Sequence, residues 1–238
     1  MSGPTLIAVG DNCLDVYLTK NQMAVGGNAL NVAVQWRALG MDARYFGMVG
    51  RDPEGDLILD GISRAGLDAS DVERAPGQTA VTLIHGHDGD RRFLHEDLGV
   101  GLHYQPDMPR LVALESAGWV HLGTNASPGL VQHLLRRNIR FSIDVSTAHD
   151  QVPLDGVPLV FASGPEDDAT PIEPLFARFR AKGAVSTVVT CGGRGAFYDD
   201  GHTVHRVQAR QVNVVDTCGA GDSFIASFIV EHMVRELP

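Results

Sequence analysis

The segment VVDTCGAGDSF, residues 214 to 224, sets three glycine-or-alanine positions between Asp216 and Asp222, just before an apolar stretch. Val212 to Val215 reads as the end of an extended segment, and Ser223 to Val234 carries apolar side chains at helical spacing. Cys218 to Asp222 therefore falls at a predicted helix N-terminus. Small residues there let backbone N–H groups converge on an anion, and the helix dipole favours negative charge at that end. A carboxylate in the same place would repel a bare phosphate unless a transferable proton or a metal ion lay between them. Asp222 thus reads as a base beside a phosphoryl-transfer site.

Two further segments carry polar groups at element ends. GDNCLDVYL, residues 10 to 18, puts Asp11 and Asp15 after the first extended run, where a carboxylate can accept hydrogen bonds from a ligand's hydroxyls; turn formation would use the same residues. VGGNALNVAVQWRALG, residues 25 to 40, reads as a helix with Asn28 as N-cap and Asn31 three residues later on the same face. Gly26 and Gly27 allow a ligand close to the backbone. Asn31 stands among Leu30, Ala33 and Val34, so its amide needs a partner. The glycines of TCGGRGAFYDDG, residues 190 to 201, suit either a nucleotide or a tight turn between strands. No GxxxxGK[ST] occurs and no GxGxxG follows the first strand, which excludes a P-loop and a standard dinucleotide fingerprint.

The elements that must position these groups are legible as an alternation. Continuous apolar runs at 6 to 11, 119 to 124, 140 to 145, 159 to 164 and 186 to 191 read as strands buried on both faces of a parallel sheet. Between them lie helical segments at 28 to 39, 54 to 65, 129 to 137 and 171 to 182. The pattern predicts a layered α/β domain. TAVTLIHGHDGDRRF, residues 79 to 93, breaks the alternation and reads as a hairpin turning at DGD, part of a small β lid. Its Thr82 and Ile84 fall on one face and Val81, Leu83, His85 and His87 on the other. The HxH pair lacks a third ligand at metal spacing, so exposed polar residues are the plainer reading.

Composition narrows the classes. The 238 residues, 44% of them hydrophobic, fit one main domain. A net charge of −10 excludes a broad basic face for nucleic acid or anionic membrane, so any phosphate must be held locally. No run spans a bilayer and MSGPTLIAVGD has no signal-peptide pattern, which sets a cytoplasmic expectation. Cys13, Cys191 and Cys218 have no CxxC spacing and read as reduced thiols. Lysine occurs only at Lys20 and Lys182, leaving little scope for Schiff-base chemistry.

DTCGAGDSF and GGNALNVAVQWRALG together resemble the C-terminal and N-terminal signatures of the PfkB (ribokinase-like) carbohydrate kinases, in the family's order. The resemblance covers nearly the whole chain. It implies a ribokinase-like three-layer α/β/α sandwich with a mostly parallel sheet and a small β lid formed from about 12–25 and 79–104. It also implies ATP-dependent phosphorylation of a hydroxymethyl group on a small sugar, with Mg²⁺. On this resemblance Asp222 is the catalytic base, and the amides of Gly219, Ala220 and Gly221 form the anion hole. Asp15, Gly27 and Asn31 bind the sugar, while Ser163, Thr190, Gly192, Asp216 and Thr217 meet the nucleotide. SGPE, residues 163 to 166, departs from the family pattern at Ser163 and matches it at Glu166, which is left a role with magnesium-bound water. Homodimerisation through the lid is a further expectation.

GDNCLDVY and the short spacer before GGNALNVAV look most like bacterial fructoselysine 6-kinases. Such an acceptor carries a carboxylate, for which Arg91 and Arg92 on the returning arm of the hairpin are the candidate cations. A kinase for fructose, ribose or adenosine is the alternative, as is a noncatalytic sugar- or nucleotide-binding protein on the same fold. The chain stops shortly after the helix that follows GAGD, so either the nucleotide pocket is open on one side or the natural protein is longer.

Overall fold

A computed structural model describes residues 3–87, 90–150, 152–213 and 217–235, with side chains except those of 86, 87, 90–93 and 233. In chain order the strands are β1 (Leu6–Val9), β2 (Cys13–Tyr17), β3 (Gln22–Gly26), β4 (Ala43–Gly50), β5 (Val72–Ala75), β6 (Val81–His87), β7 (Asp90–Asp97), β8 (Trp119–Leu122), β9 (Phe141–Asp144), β10 (Leu159–Ser163), β11 (Thr187–Thr190), β12 (Ala196–Asp199) and β13 (Val204–Val207). The helices are α1 (Asn28–Ala38), α2 (Pro53–Arg64), α3 (Met108–Glu115), α4 (Pro128–Arg136), α5 (Glu173–Ala181) and α6 (Ala220–Phe228), the last continuing into a wider turn over Ile229–Val234.

Nine strands form the main sheet in the order β13-β12-β11-β10-β9-β8-β1-β4-β5. Pairing is parallel from β11 to β5, and β12 turns antiparallel at the edge. The apolar runs mark strands because both of their faces are covered: Leu6 to Val9 are buried throughout. On one face α1, α2 and α6 pack over Trp36, Trp119 and Phe161; on the other α3, α4 and α5 pack over Phe141, Phe176 and Phe179. This is the three-layer sandwich expected from the alternation.

Local chemistry fixes where several helices begin. Asp52, Asp107 and Ser127 each accept a backbone N–H from the first turn of α2, α3 and α4, and each of these helices carries a proline in its first two positions. Helix α1 starts differently. Its N-cap is Gly27, which has no side chain to offer, and Asn28 lies inside the helix.

The path of the chain places a crevice. From β1 it runs outward to β4 and β5, then returns to β8 on the other side of β1 and continues through β9, β10 and β11. The carboxyl ends of β1 and β8 therefore flank the point where the winding reverses, the usual ligand position in open α/β sheets. Above it stands a separate four-stranded sheet, β3-β2-β6-β7. Its register sets Asp15 opposite Thr82 and Thr82 opposite Glu96. Thr82 and Ile84 are buried while His85 is exposed, as the alternation predicts. Asp88 and Gly89 of the expected turn lie outside the described residues.

Candidate active site

A cavity of about 710 Å³ opens at that crevice, with floor groups from the ends of β1, β8 and β9 and the starts of α1 and α6, and walls from the smaller sheet. Its lining includes Asp15, Gly27, Asn31, Ser163, Thr217, Gly219, Gly221 and Asp222, which the sequence had singled out for separate reasons. Thr190 and Glu166 lie outside this lining, as does Gly192; a Cβ at Gly192 would meet Glu166 Cδ at 2.8 Å, so these two touch at the β11–β12 turn. The side chains of Arg91 and Arg92, and Asp216 as a whole, lie outside the described residues; the register pairs Arg91 with Gly86 and Arg92 with His85.

Asp222 stands in the first turn of α6 and is held from α1. Asn31 Nδ2 donates to one of its carboxylate oxygens at 2.7 Å and Asn28 Nδ2 to the other at 2.7 Å. The second hydrogen of the Asn28 amide goes to Asp144 Oδ2 at 2.8 Å. Asn28 therefore bridges two carboxylates. The two helices are locked together behind this point, where the buried indole of Trp36 donates to the Ala226 carbonyl at 3.2 Å. The anomaly of a polar Asn31 in a packed helix is thereby explained by a partner 191 residues away in sequence.

One reading of the N-terminal segment changes. Asn28 is not the cap of α1: the cap comes from Asp11, whose carboxylate accepts the Asn28 N–H at 2.7 Å and the Ala29 N–H at 3.4 Å. Asp11 thus caps the helix end while still lining the cavity. This packing requires Gly27, with φ of 114°, because a Cβ there would collide with the backbone of Asp11 and Asn12. At the other helix start Gly219 takes φ of 70°, the left-handed conformation that glycine tolerates best. Gly221 does not; a Cβ there would project into open space. The Ala220 N–H is used by the Thr217 carbonyl at 3.2 Å. The other first-turn N–H groups of α6 have no acceptor within the helix.

The electrostatics of the floor are unusual for an acidic chain. Burial is the first cause raising the affinity of Asp11, Asp144 and Asp222 for a proton. For Asp222 the amides of Asn31 and Asn28 oppose that effect and favour the charged form, while Asp11 adds to it. Asp144 is pushed up to about 7 by burial and then by repulsion from Asp222 and Asp11. A carboxylate whose pKa rises toward operating pH is a better proton acceptor.

Asp144, Asn12 and Glu96 line the cavity and were missed in the sequence. Asp144 had a usable signal, since RFSIDV ends in an acid at a strand's carboxyl end just as the first strand does. Among the described residues no group of three or more His, Cys, Asp or Glu could hold a metal ion by itself.

Comparison with known proteins agrees with this fold. A family model described as the pfkB family carbohydrate kinase matches residues 5–137 and 159–233. Fructoselysine 6-kinase of Escherichia coli strain K12 is 34% identical over 235 residues, covering 94% of this chain and 88% of that protein. A fructosamine kinase of Bacillus subtilis strain 168 is 31% identical over 243 residues, covering 97% and 84% respectively. Among solved structures, Arabidopsis thaliana ribokinase complexed with ribose and ATP superposes with a TM-score of 0.84 at 20% identity, covering all of this chain (100%) and 88% of the other. The chain belongs to the pfkB family of carbohydrate kinases and is a phosphotransferase with a sugar hydroxyl as acceptor.

Proposed function

We propose that this pfkB-family kinase transfers the γ-phosphate of ATP to the 6-hydroxymethyl group of a fructosamine such as fructoselysine. One observation carries the chemistry: Asp222 is oriented by two amide donors at the N-terminus of α6, in the same cavity as Gly219 and Gly221. The names of the two relatives at 34% and 31% identity support the acceptor, and the ribokinase complexed with ribose and ATP supports the nucleotide.

In this reading Asp222 accepts the proton of the attacking hydroxyl, and first-turn amides of α6 stabilise charge on the moving phosphoryl group. Asp15, Gly27 and Asn31 face the sugar; Ser163 and Thr217 line the cavity on the nucleotide side, with Thr190 and Gly192 further along the sheet edge. Mg²⁺ fits as an ion carried with the nucleotide, because it usually keeps several waters and takes one or two carboxylates plus substrate phosphates instead of a dedicated protein cage. Glu166, beside Gly192, is the carboxylate placed to hold one of its waters. Bound there, the ion would offset phosphate charge. The smaller sheet serves as the lid over the acceptor, and its exposed Leu18, Met23 and Leu94 support a homodimer through that sheet.

The test is phosphoryl transfer from ATP with magnesium to fructoselysine, fructose, ribose and adenosine. Fructoselysine is expected to give the highest kcat/KM. Asp222→Asn is expected to bind ATP and sugar but to lose roughly 10²–10⁴-fold in turnover. Near-normal turnover by that variant would remove Asp222 from the mechanism, and equal use of fructose by the unaltered enzyme would reject the acceptor.

A further inference from the structure

Phosphate chemistry explains the helical end of the cavity but not its opposite wall. Six carboxylates line the cavity, those of Asp11, Asp15, Glu96, Asp97, Asp144 and Asp222, and among the described residues no lysine, arginine or histidine does. Three of them belong to the floor. The other three stand on the smaller sheet, across the cavity from α6.

We propose that this wall recognises a protonated amine on the acceptor sugar, with Glu96 as the specificity-determining carboxylate. The proposal rests on the kinase reading above and adds the charge that its acceptor must carry. Asp15, Thr82 and Glu96 face one another across three neighbouring strands in one row. At a strand spacing of about 4.8 Å the two acids are separated by roughly 10 Å, with the threonine hydroxyl between them. Asp15 already accepts the Cys13 thiol at 3.1 Å, and Asp97 accepts the Gly99 N–H at 2.9 Å. Glu96 is exposed to the cavity and pairs with no cation among the described residues.

A second observation points the same way. Asn12 lines the cavity at 4% exposure and uses its amide hydrogens on Tyr45 Oη at 2.9 Å and the Met48 carbonyl at 3.1 Å. Its Oδ1 has no partner, nor does Oδ1 of Asn28. Both are acceptors at the floor of the cavity, and a buried acceptor without a donor is costly. A neutral sugar, however, brings no opposite charge to Glu96, whereas an ammonium offers both donors and opposite charge. Since Asp222 claims the phosphorylated hydroxymethyl end, the amine belongs at the other end of the molecule, next to the smaller sheet.

The experiment compares 1-amino-1-deoxyfructose with fructose, by calorimetric binding and by kcat/KM, on the unaltered protein, Glu96→Gln and Glu96→Asp. The unaltered protein is expected to bind and use the amino sugar at least tenfold better. Glu96→Gln should lower kcat/KM for the amino sugar about tenfold to a hundredfold more than for fructose, in line with loss of one hydrogen bond to a charged group. Glu96→Asp should restore part of the preference, because the charge remains. If the unaltered protein binds both sugars equally, the cavity does not read the amine and the proposal fails. If it prefers the amino sugar and Glu96→Gln keeps that preference, or loses both substrates alike, Glu96 is not the element and the fructosamine reading survives without it. Absence of turnover on every sugar would overturn the kinase reading alone, since the binding contrast still decides the role of Glu96.

Discussion

Replacing Asp144 with asparagine should make the protein more stable and less active, with a pH dependence that follows from its surroundings. The carboxyl is 7% exposed and lies within one amide of Asp222, which raises its pKa from 3.8 to about 7. A raised folded-state pKa means that between these values the folded protein holds a proton that the unfolded chain has released. The stabilising contribution is therefore complete below about pH 4 and is lost as pH rises through about 7. Above that the ionised group costs roughly three pKa units, or about 4 kcal/mol, relative to its neutral form. Asparagine keeps an acceptor for the Ser146 N–H, which Asp144 now accepts at 2.8 Å, but sets an amide against the Asn28 amide, offsetting about 1 kcal/mol. The net expectation at pH 8.5 is a gain of about 3 kcal/mol for Asp144→Asn, shrinking toward zero or below near pH 4. Urea denaturation at pH 4, 6, 7 and 8.5 measures it through the midpoint at constant slope. Steady-state phosphorylation on the same samples should show lower turnover, because the amide that orients Asp222 has lost its second anchor. A variant no more stable than the parent at pH 8.5, or one whose advantage does not change with pH, would refute the claim that ionising buried Asp144 destabilises the fold.

Other groups give shorter tests. Gly221→Val should cost roughly 10²–10³-fold in turnover by filling the space beside the α6 amides, with little loss of stability, since Gly221 has no left-handed backbone to protect. Gly219→Val should instead lower the urea midpoint, because its φ of 70° strains a β-branched residue; equal stability of the two variants would reject that distinction. His121 is fully buried against Trp36 and Phe161, accepts or donates only at Ser142 Oγ at 2.9 Å, and is pushed down to about 3 by burial. Between about pH 6.5 and 3 the unfolded chain binds a proton that the folded protein refuses, so His121 costs stability as pH falls, by about 1.4 kcal/mol per unit. Urea curves of His121→Leu should therefore gain on the parent by that slope between pH 6 and 4, and parallel curves would show that His121 titrates normally.

The parts of this molecule that were legible in its sequence share a physical cause, and so do the parts that were not. Strands buried on both faces announce themselves as unbroken apolar runs, which is why Leu6 to Val9 and Val160 to Ala162 were readable. Strand β13 has no buried face, each of its residues being exposed, and so left no apolar signature. Helix starts capped by their own preceding residue, such as Asp52 before Pro53, follow a local rule. Helix α1 does not, because the glycine that permits close approach at its N-cap removes the side chain that would cap it. Asp11 then has to cross from another element, a distance no local pattern records. The same reasoning bears on the site. Asn31 could be recognised as a side chain in need of a partner, but its pairing with Asp222 exists only because α1 and α6 meet at Trp36 and Ala226. What residue types and spacing specify is chemistry in want of neighbours. The neighbours come from topology, and here the reversal of winding at β1 and β8 brings Asp11, Asp144 and Asp222 into one cavity at a cost in stability. Three crowded carboxylates, one buried and two half-buried, each shifted toward its protonated form, are a poor way to hold a fold together.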